Sequence, residues 1–245
     1  MSARDQHSES PLLPWPGSRR SLRLAVSASV LGIAAVLVTG LLIRGDAREL
    51  PVDLALNAQH TPLWDALADL VATAFGPASA VVIGVLFAAV VAFARRSAAA
   101  GLAAGLAVGL SWAGTGVLKL IVARPRPGWS AAVHRVGAPE TDPSFPSGHV
   151  AFVASLAVAA VLLTWRTRAR WWTLIAGAVL TIGVGLSRMY TVVHYPSDVV
   201  AAMLCGVFGV VLAFAVIDAL AARTDVAARI DEFLPLRGRR AAAHG

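Results

Sequence analysis

Residues 24–43 read LAVSASVLGIAAVLVTGLLI, twenty residues with no charge and no proline, held between Arg23 and Arg44. At about 1.5 Å of rise per residue, a helix of this length crosses the roughly 30 Å hydrocarbon core of a bilayer. Uncharged runs of the same kind recur near 75–94, 99–118, 149–165, 171–186 and 199–217. The pattern predicts an all-α protein, a six-span transmembrane helical bundle. Composition agrees, with 57% of the 245 residues hydrophobic, 14% charged and a mean hydropathy of +0.70. A soluble domain has about half apolar and a quarter charged residues, so a water-soluble monomer is disfavoured. The single cysteine, Cys205, lies in an apolar run and allows neither an intramolecular disulfide nor a cysteine metal site.

The first run is too long for a signal-peptide core, and Ile43 leads into Arg44, Gly45 and Asp46 without a small-residue cleavage pattern. It is expected to remain as an anchor. Residues 1–23, rich in Ser and Pro, are expected to be a disordered cytoplasmic tail, 24–218 the six-span domain and 219–245 a basic cytoplasmic tail. Fourteen of the 21 Lys and Arg residues fall in the tails and in the short loops at 95–96 and 166–170, and seven on the opposite side. The positive-inside rule then places both termini in the cytoplasm of a multi-pass cell (inner) membrane protein and turns 44–74, 120–147 and 187–198 outward. Arginines at membrane edges account for the net charge of +7, so nucleic acid is not an expected partner. Leu56, Leu63, Leu67 and Leu70 recur at helical spacing in the first outward segment, with Asp65 and Asp69 on another face. This stretch either forms an interfacial helix or packs against the bundle.

Cations gather where topology would leave few. Lys119, the one lysine in the chain, ends an apolar helix in SWAGTGVLKLIVARPRP, and Arg124 and Arg126 follow. Pro146, Ser147, Gly148 and His149 stand where an outward loop enters the fourth span. Ser147 is a natural N-cap, the first-turn amides and helix dipole favour an anion, Gly148 admits close approach, and His149 exchanges protons near neutrality. Between spans five and six, Arg188 precedes His194, and Asp198 follows four residues later in the first turn of the last helix. A carboxylate on one ring nitrogen leaves the other free as nucleophile or base. Three cations, two helix starts, two histidines and a carboxylate on one face suit a phosphoryl group, whose transition state spreads negative charge over its oxygens.

The arrangement Lys119-x6-Arg126-Pro127, Pro146-Ser147-Gly148-His149 and Ser187-Arg188-x5-His194-x3-Asp198 resembles the three-part signature of the type 2 phosphatidic acid phosphatase superfamily, and all eleven signature residues match. The resemblance implies that Lys119, Arg126 and Arg188 hold phosphate oxygens with help from Ser147 and the Gly148 amide. It implies that His194 attacks phosphorus to form a phosphohistidine, that Asp198 orients it, and that His149 protonates the leaving oxygen and then activates water. It implies no cofactor and no metal. Arg124 beside Arg126 has the plainer role of a solvated rim charge, and Tyr190, Tyr195, His134 and Trp129 that of interfacial residues.

The expected function is therefore a metal-independent phosphatase of lipid phosphates or diphosphates within the bilayer, first an isoprenoid (undecaprenyl-type) diphosphate. Phosphatidylglycerol phosphate and phosphatidate are the alternatives. A vanadate-dependent haloperoxidase is disfavoured by the six apolar runs. A non-catalytic phosphate-binding or transport protein has no use for the paired His194 and Asp198 with His149 opposite.

Overall fold

The apolar runs fold as helices in a computed structural model that describes residues 18–137 and 140–236. In chain order they are α1 (Arg19–Ile43), α2 (Leu50–Asn57), α3 (Pro62–Ala74), α4 (Pro77–Arg95), α5 (Ala98–Val122), α6 (Gly148–Thr164), α7 (Ala169–Tyr190), α8 (Pro196–Ala221) and α9 (Val226–Phe233). There is no strand among the described residues. Five helices, α1, α4, α5, α7 and α8, are long and apolar enough to cross a membrane. The sixth run, α6, is equally apolar but has 17 residues, so the six-span count holds for apolar helices and not for full-length spans. Its shortness has a structural reason. It packs against α5, α7 and α8, its Val150, Ala151, Phe152, Val153 and Ala159 are almost fully enclosed, and a helix surrounded by protein need not match the bilayer.

Helix contacts are close because small residues line them. A Cβ on Gly206 of α8 would lie 2.5 Å from the Ala154 Cβ of α6, and one on Gly40 of α1 would lie 2.4 Å from the Phe145 ring. Ser111 and Ser155, both buried, share a hydrogen bond of 2.8 Å that joins α5 to α6. On the lipid side, Leu42, Phe93, Leu120 and Val179 are exposed, as expected for a bundle whose solvent is hydrocarbon.

Three boundaries differ from the sequence expectation. Helix α1 begins at Arg19 and not Leu24, because the Ser18 side chain accepts from Ser21 N at 3.2 Å and starts the helix inside the supposed tail. Residues 1–17 lie outside the described residues, as do 237–245. Helix α8 runs to Ala221, and the segment after it returns to the bundle as α9. There Asp231 accepts from Ser97 Oγ at 2.7 Å and from Ala99 N at 2.9 Å, so a carboxylate sits on the positive end of α5. The third is the segment at 44–74, which forms two helices. Both helices pack against α7: α2 buries Asp53 and Asn57, and α3 buries Ala68 while leaving Leu63, Leu67 and Leu70 exposed, so the segment packs on the bundle with an apolar face of α3 turned outward.

Candidate active site

The site lies where the Lys119 end of α5, the start of α6 and the turn between α7 and α8 converge. Helix α5 ends when Ala123 enters the left-handed region (φ 49°), which turns Arg124 and Arg126 inward. The α7–α8 turn passes through Val192 at φ 55°, an uncommon conformation for a β-branched residue. Val192 and Val193 are buried there, and the turn delivers His194, which has no solvent exposure.

Arg126 Nη1 lies 3.1 Å from His194 Nε2 and donates to the Val193 carbonyl at 2.8 Å. A guanidinium only donates, so Nε2 is the unprotonated ring nitrogen in this contact. Nδ1, 3.5 Å from Asp198 Oδ2, has no hydrogen-bond partner among the described residues. Asp198 thus faces the imidazole as expected, although at a distance longer than a hydrogen bond. Burial, reinforced by Arg126, Lys119, Arg188 and His149, pushes the His194 pKa well below the ordinary imidazole value and keeps the ring neutral.

Asp198 is itself held from three directions. Tyr195 N donates to its Oδ2 at 3.0 Å, Arg124 Nη1 donates to its Oδ1 at 2.7 Å, and its own place in the first turn of α8 favours an anion. The expected rim position of Arg124 is corrected. Its guanidinium is 1% exposed, donates to Ser197 Oγ at 2.7 Å and to the Asp46 carbonyl at 2.8 Å, and lies over the Tyr195 ring at 4.1 Å. A buried arginine needs a buried carboxylate, and Asp198 meets that need. Tyr195 is buried beneath it and is not an interfacial residue.

The three expected phosphate ligands also converge, bridged by two acids that the sequence reading had not singled out. Arg126 Nη2 lies 2.7 Å from both Asp142 Oδ1 and Glu140 Oε2. Lys119 pairs with Asp142, and Arg188 pairs with Glu140. Burial works against the Asp142 charge, but Lys119 and Arg126 outweigh it and hold the carboxyl at about 2. Each acid links two cations in the way an oxyanion would.

Ser147 occupies the N-cap position of α6, but its hydroxyl makes no cap bond; Oγ is buried without a partner among the described residues. Its backbone instead donates to the Asp198 carbonyl at 3.2 Å, which ties the α6 start to the α8 start. An added Cβ on Gly148 would make only ordinary contact, with the Trp112 ring at 3.9 Å. His149 Nε2 lies 3.2 Å from the Ala72 carbonyl, so the ring donates toward α3. Lys119, Glu140, Asp142, Gly148 and His149 share a cavity of about 700 Å³ whose remaining wall is mostly apolar and includes Ala72, Phe75, Pro77, Trp112 and Gly116.

Sequence reasoning also missed Asp53 and Glu49 on and before α2. Glu49 Oε2 accepts from Ser197 N at 2.8 Å. Asp53 is fully buried with both oxygens unpartnered among the described residues, and burial, with the charges of Asp198 and Glu49, raises its pKa to about 8.

Over 116 residues, 47% of this chain and 57% of the relative, the chain is 30% identical to "Undecaprenyl-diphosphatase BcrC" of Bacillus subtilis (strain 168). Over 66 residues, 27% of this chain and 30% of the relative, it is 39% identical to "Undecaprenyl-diphosphatase" of Sulfolobus acidocaldarius. The matched stretches therefore span from about a third to just over half of these relatives' lengths. The fold is that of a transmembrane PAP2-type phosphatidylglycerolphosphate phosphatase from Bacillus subtilis, with a TM-score of 0.61 at 21% identity, covering 78% of this chain and 96% of that one. The PAP2 superfamily profile matches residues 100–221, which carry every element of the three-part signature. The chain is a member of the PAP2 superfamily through this domain, and the resemblance drawn from the motifs is borne out.

Proposed function

We propose that the protein is a metal-independent lipid phosphate phosphatase acting through a phosphohistidine on His194, with an isoprenoid (undecaprenyl-type) diphosphate as its first substrate class. The observation that carries this reading is the position of His194 Nε2, unprotonated and 3.1 Å from an arginine that also belongs to a cluster of three cations. An unprotonated ring nitrogen, its lone pair held by Arg126 until that guanidinium turns to the phosphoryl oxygens, beside a ready-made oxyanion cradle is what in-line attack on phosphorus requires.

The terminal phosphoryl group displaces Glu140 and Asp142 and takes their places on Lys119, Arg126 and Arg188. His194 Nε2 donates its lone pair to phosphorus, and the bond from phosphorus to the bridging oxygen breaks. His149, which takes up a proton when the anionic substrate binds beside it, gives that proton to the oxygen, and the lipid monophosphate leaves. The positive charge on the His194 ring is met by Asp198, fixed by Arg124 and the Tyr195 amide. His149 then takes a proton from water as the water oxygen attacks phosphorus, the N–P bond breaks, and inorganic phosphate is released. Three fixed cations do the electrostatic work that a metal performs in other phosphatases.

The apolar wall of the cavity supports a lipid substrate, because the phosphate end meets Lys119 while Phe75, Pro77 and Trp112 face the remaining volume. The names of the two relatives favour a polyprenyl diphosphate. The charge asymmetry of the loops favours a cell-membrane protein with cytoplasmic termini and an outward site. The test is phosphate release by detergent-purified protein in EDTA, comparing an isoprenoid diphosphate, phosphatidylglycerol phosphate, phosphatidate and a sugar phosphate. Lipid-selective release that is lost in His194→Ala is the expected result. Full activity in His194→Ala contradicts the mechanism, and tight phosphate binding without turnover on any lipid favours a binding or transport protein.

A further inference from the structure

A second cluster of chemistry-bearing side chains lies outside the phosphate site and has no part in the proposed reaction. His60 from the turn between α2 and α3, Asp65 from the first turn of α3 and His134 from the loop after α5 place one ligand atom each within 4.8 Å of one another. The His60 and His134 rings stack at 4.0 Å with planes 5° apart, and His134 Nε2 lies 3.0 Å from Asp65 Oδ2.

We infer that His60, Asp65 and His134 form a binding site for one divalent transition-metal ion of the zinc class. Two imidazoles and a carboxylate are a ligand set that zinc accepts, with water completing the tetrahedron. Ligand atoms about 2.0–2.1 Å from such an ion lie closer together than the widest separation here, and rotation of the exposed His60 ring closes the difference. The supporting shell is already built. Tyr190 donates from its hydroxyl to Asp65 Oδ1, leaving Oδ2 to face His134. Asn57, fully buried, accepts from His134 N at 2.8 Å and donates to the carbonyls of His134 at 2.8 Å and Tyr190 at 2.9 Å. Such outer contacts orient ligands and hold them against a metal. The loop could have been fastened by Asn57 alone, yet it also presents an imidazole to a second imidazole and a carboxylate from another segment.

The ion would tie the loop that carries Glu140 and Asp142 to α3, without touching the reacting atoms. Loading exchanges waters of the hydrated ion for these three side chains and touches none of the residues of the phosphate cradle, so chelation is not expected to stop the chemical step. The inference stands on this geometry and is tested without substrate, so its failure and that of the phosphatase reading are separable.

The test uses the full chain, free of any polyhistidine tag, in detergent. Zn2+ binding is measured by competition with a chromophoric chelator, and Co2+ is used as a spectroscopic probe. The expected result is one Zn2+ per chain, a Co2+ spectrum with the intense visible bands of a tetrahedral site, and binding at least tenfold weaker in His60→Ala and in His134→Ala. His194→Ala is expected to bind the ion as the parent does, which separates this site from the other histidines. His60 is exposed, so its variant keeps the fold even if His134→Ala loosens the loop. Absence of stoichiometric binding, or binding unchanged in His60→Ala, overturns the inference.

Discussion

Two layers of the site use the same chemistry, arginine or lysine against a carboxylate, in opposite ways. In the inner layer Arg124 and Asp198 pair at 2.7 Å with side chains 1% and 0% exposed, and each has further partners in the backbone or a neighbouring side chain. In the outer layer Lys119 pairs with Asp142 at 14% and 54% exposure, and Arg126 with Glu140 at 8% and 26%. A desolvated pair cannot lose one member without stranding a charge, whereas a partly wet one exchanges partners at little cost. In the proposed mechanism the inner layer is therefore scaffold for His194, and the outer layer is the surface on which a phosphoryl group would replace the two loop acids.

Removing one member of the inner pair is expected to have the largest effect. Arg124→Ala leaves Asp198 buried and unpaired, and a loss of about 3–5 kcal/mol in stability is expected, read as a fall in Tm in detergent. Unchanged Tm would mean that the inner pair is not the scaffold described. A second test concerns Asp53, which lies beneath the same layer. An unfolded Asp53 ionises near its ordinary 3.8, while in the fold it holds its proton up to about 8. Between those values the folded state keeps a proton that the unfolded state has shed, so stability falls as pH rises through that window. Asp53→Asn is expected to raise Tm at pH 8 and flatten its dependence between pH 5 and 8; an unchanged slope would remove Asp53 as its cause.

The neutrality of His194 sharpens the contrast. Because burial and the surrounding cations lower its pKa, the acid limb of kcat/KM for the free enzyme is expected well below pH 6.5. A limb at or above that value would show an imidazole that the inner layer does not control. The smallest effect is reserved for the outer layer. Glu140→Gln with Asp142→Asn removes the four carboxylate contacts that compete for the cations, and inhibition by inorganic phosphate is expected to tighten by up to about tenfold. Weaker inhibition would mean that the acids help to hold the phosphate.

The sequence made legible what depends on local pattern. Uncharged runs announced the helices, and the three motifs named the residues that the fold brings together. What escaped depends on contacts between distant segments. Arg124 looked like a rim charge because nothing in ARPRP says that its guanidinium turns in toward a residue 74 positions later. Glu140 and Asp142 lie in a loop without periodicity, and their pairing with Lys119, Arg126 and Arg188 exists only after four segments have docked. Ser147 misled in the other direction, since a serine before a helix predicts a cap, yet here the hydroxyl is left without a partner among the described residues. His60, Asp65 and His134 were likewise too far apart in the chain to suggest one another.

A phosphoryl group carried on His194 can be trapped by rapid quenching of the protein during turnover of an isoprenoid diphosphate labelled with 32P in the terminal phosphate. Protein-bound label that survives alkali, is lost in acid and is absent from His194→Ala is expected. Turnover by the parent with no bound label at any quench time, or label that persists in His194→Ala, would contradict a phosphohistidine at this position.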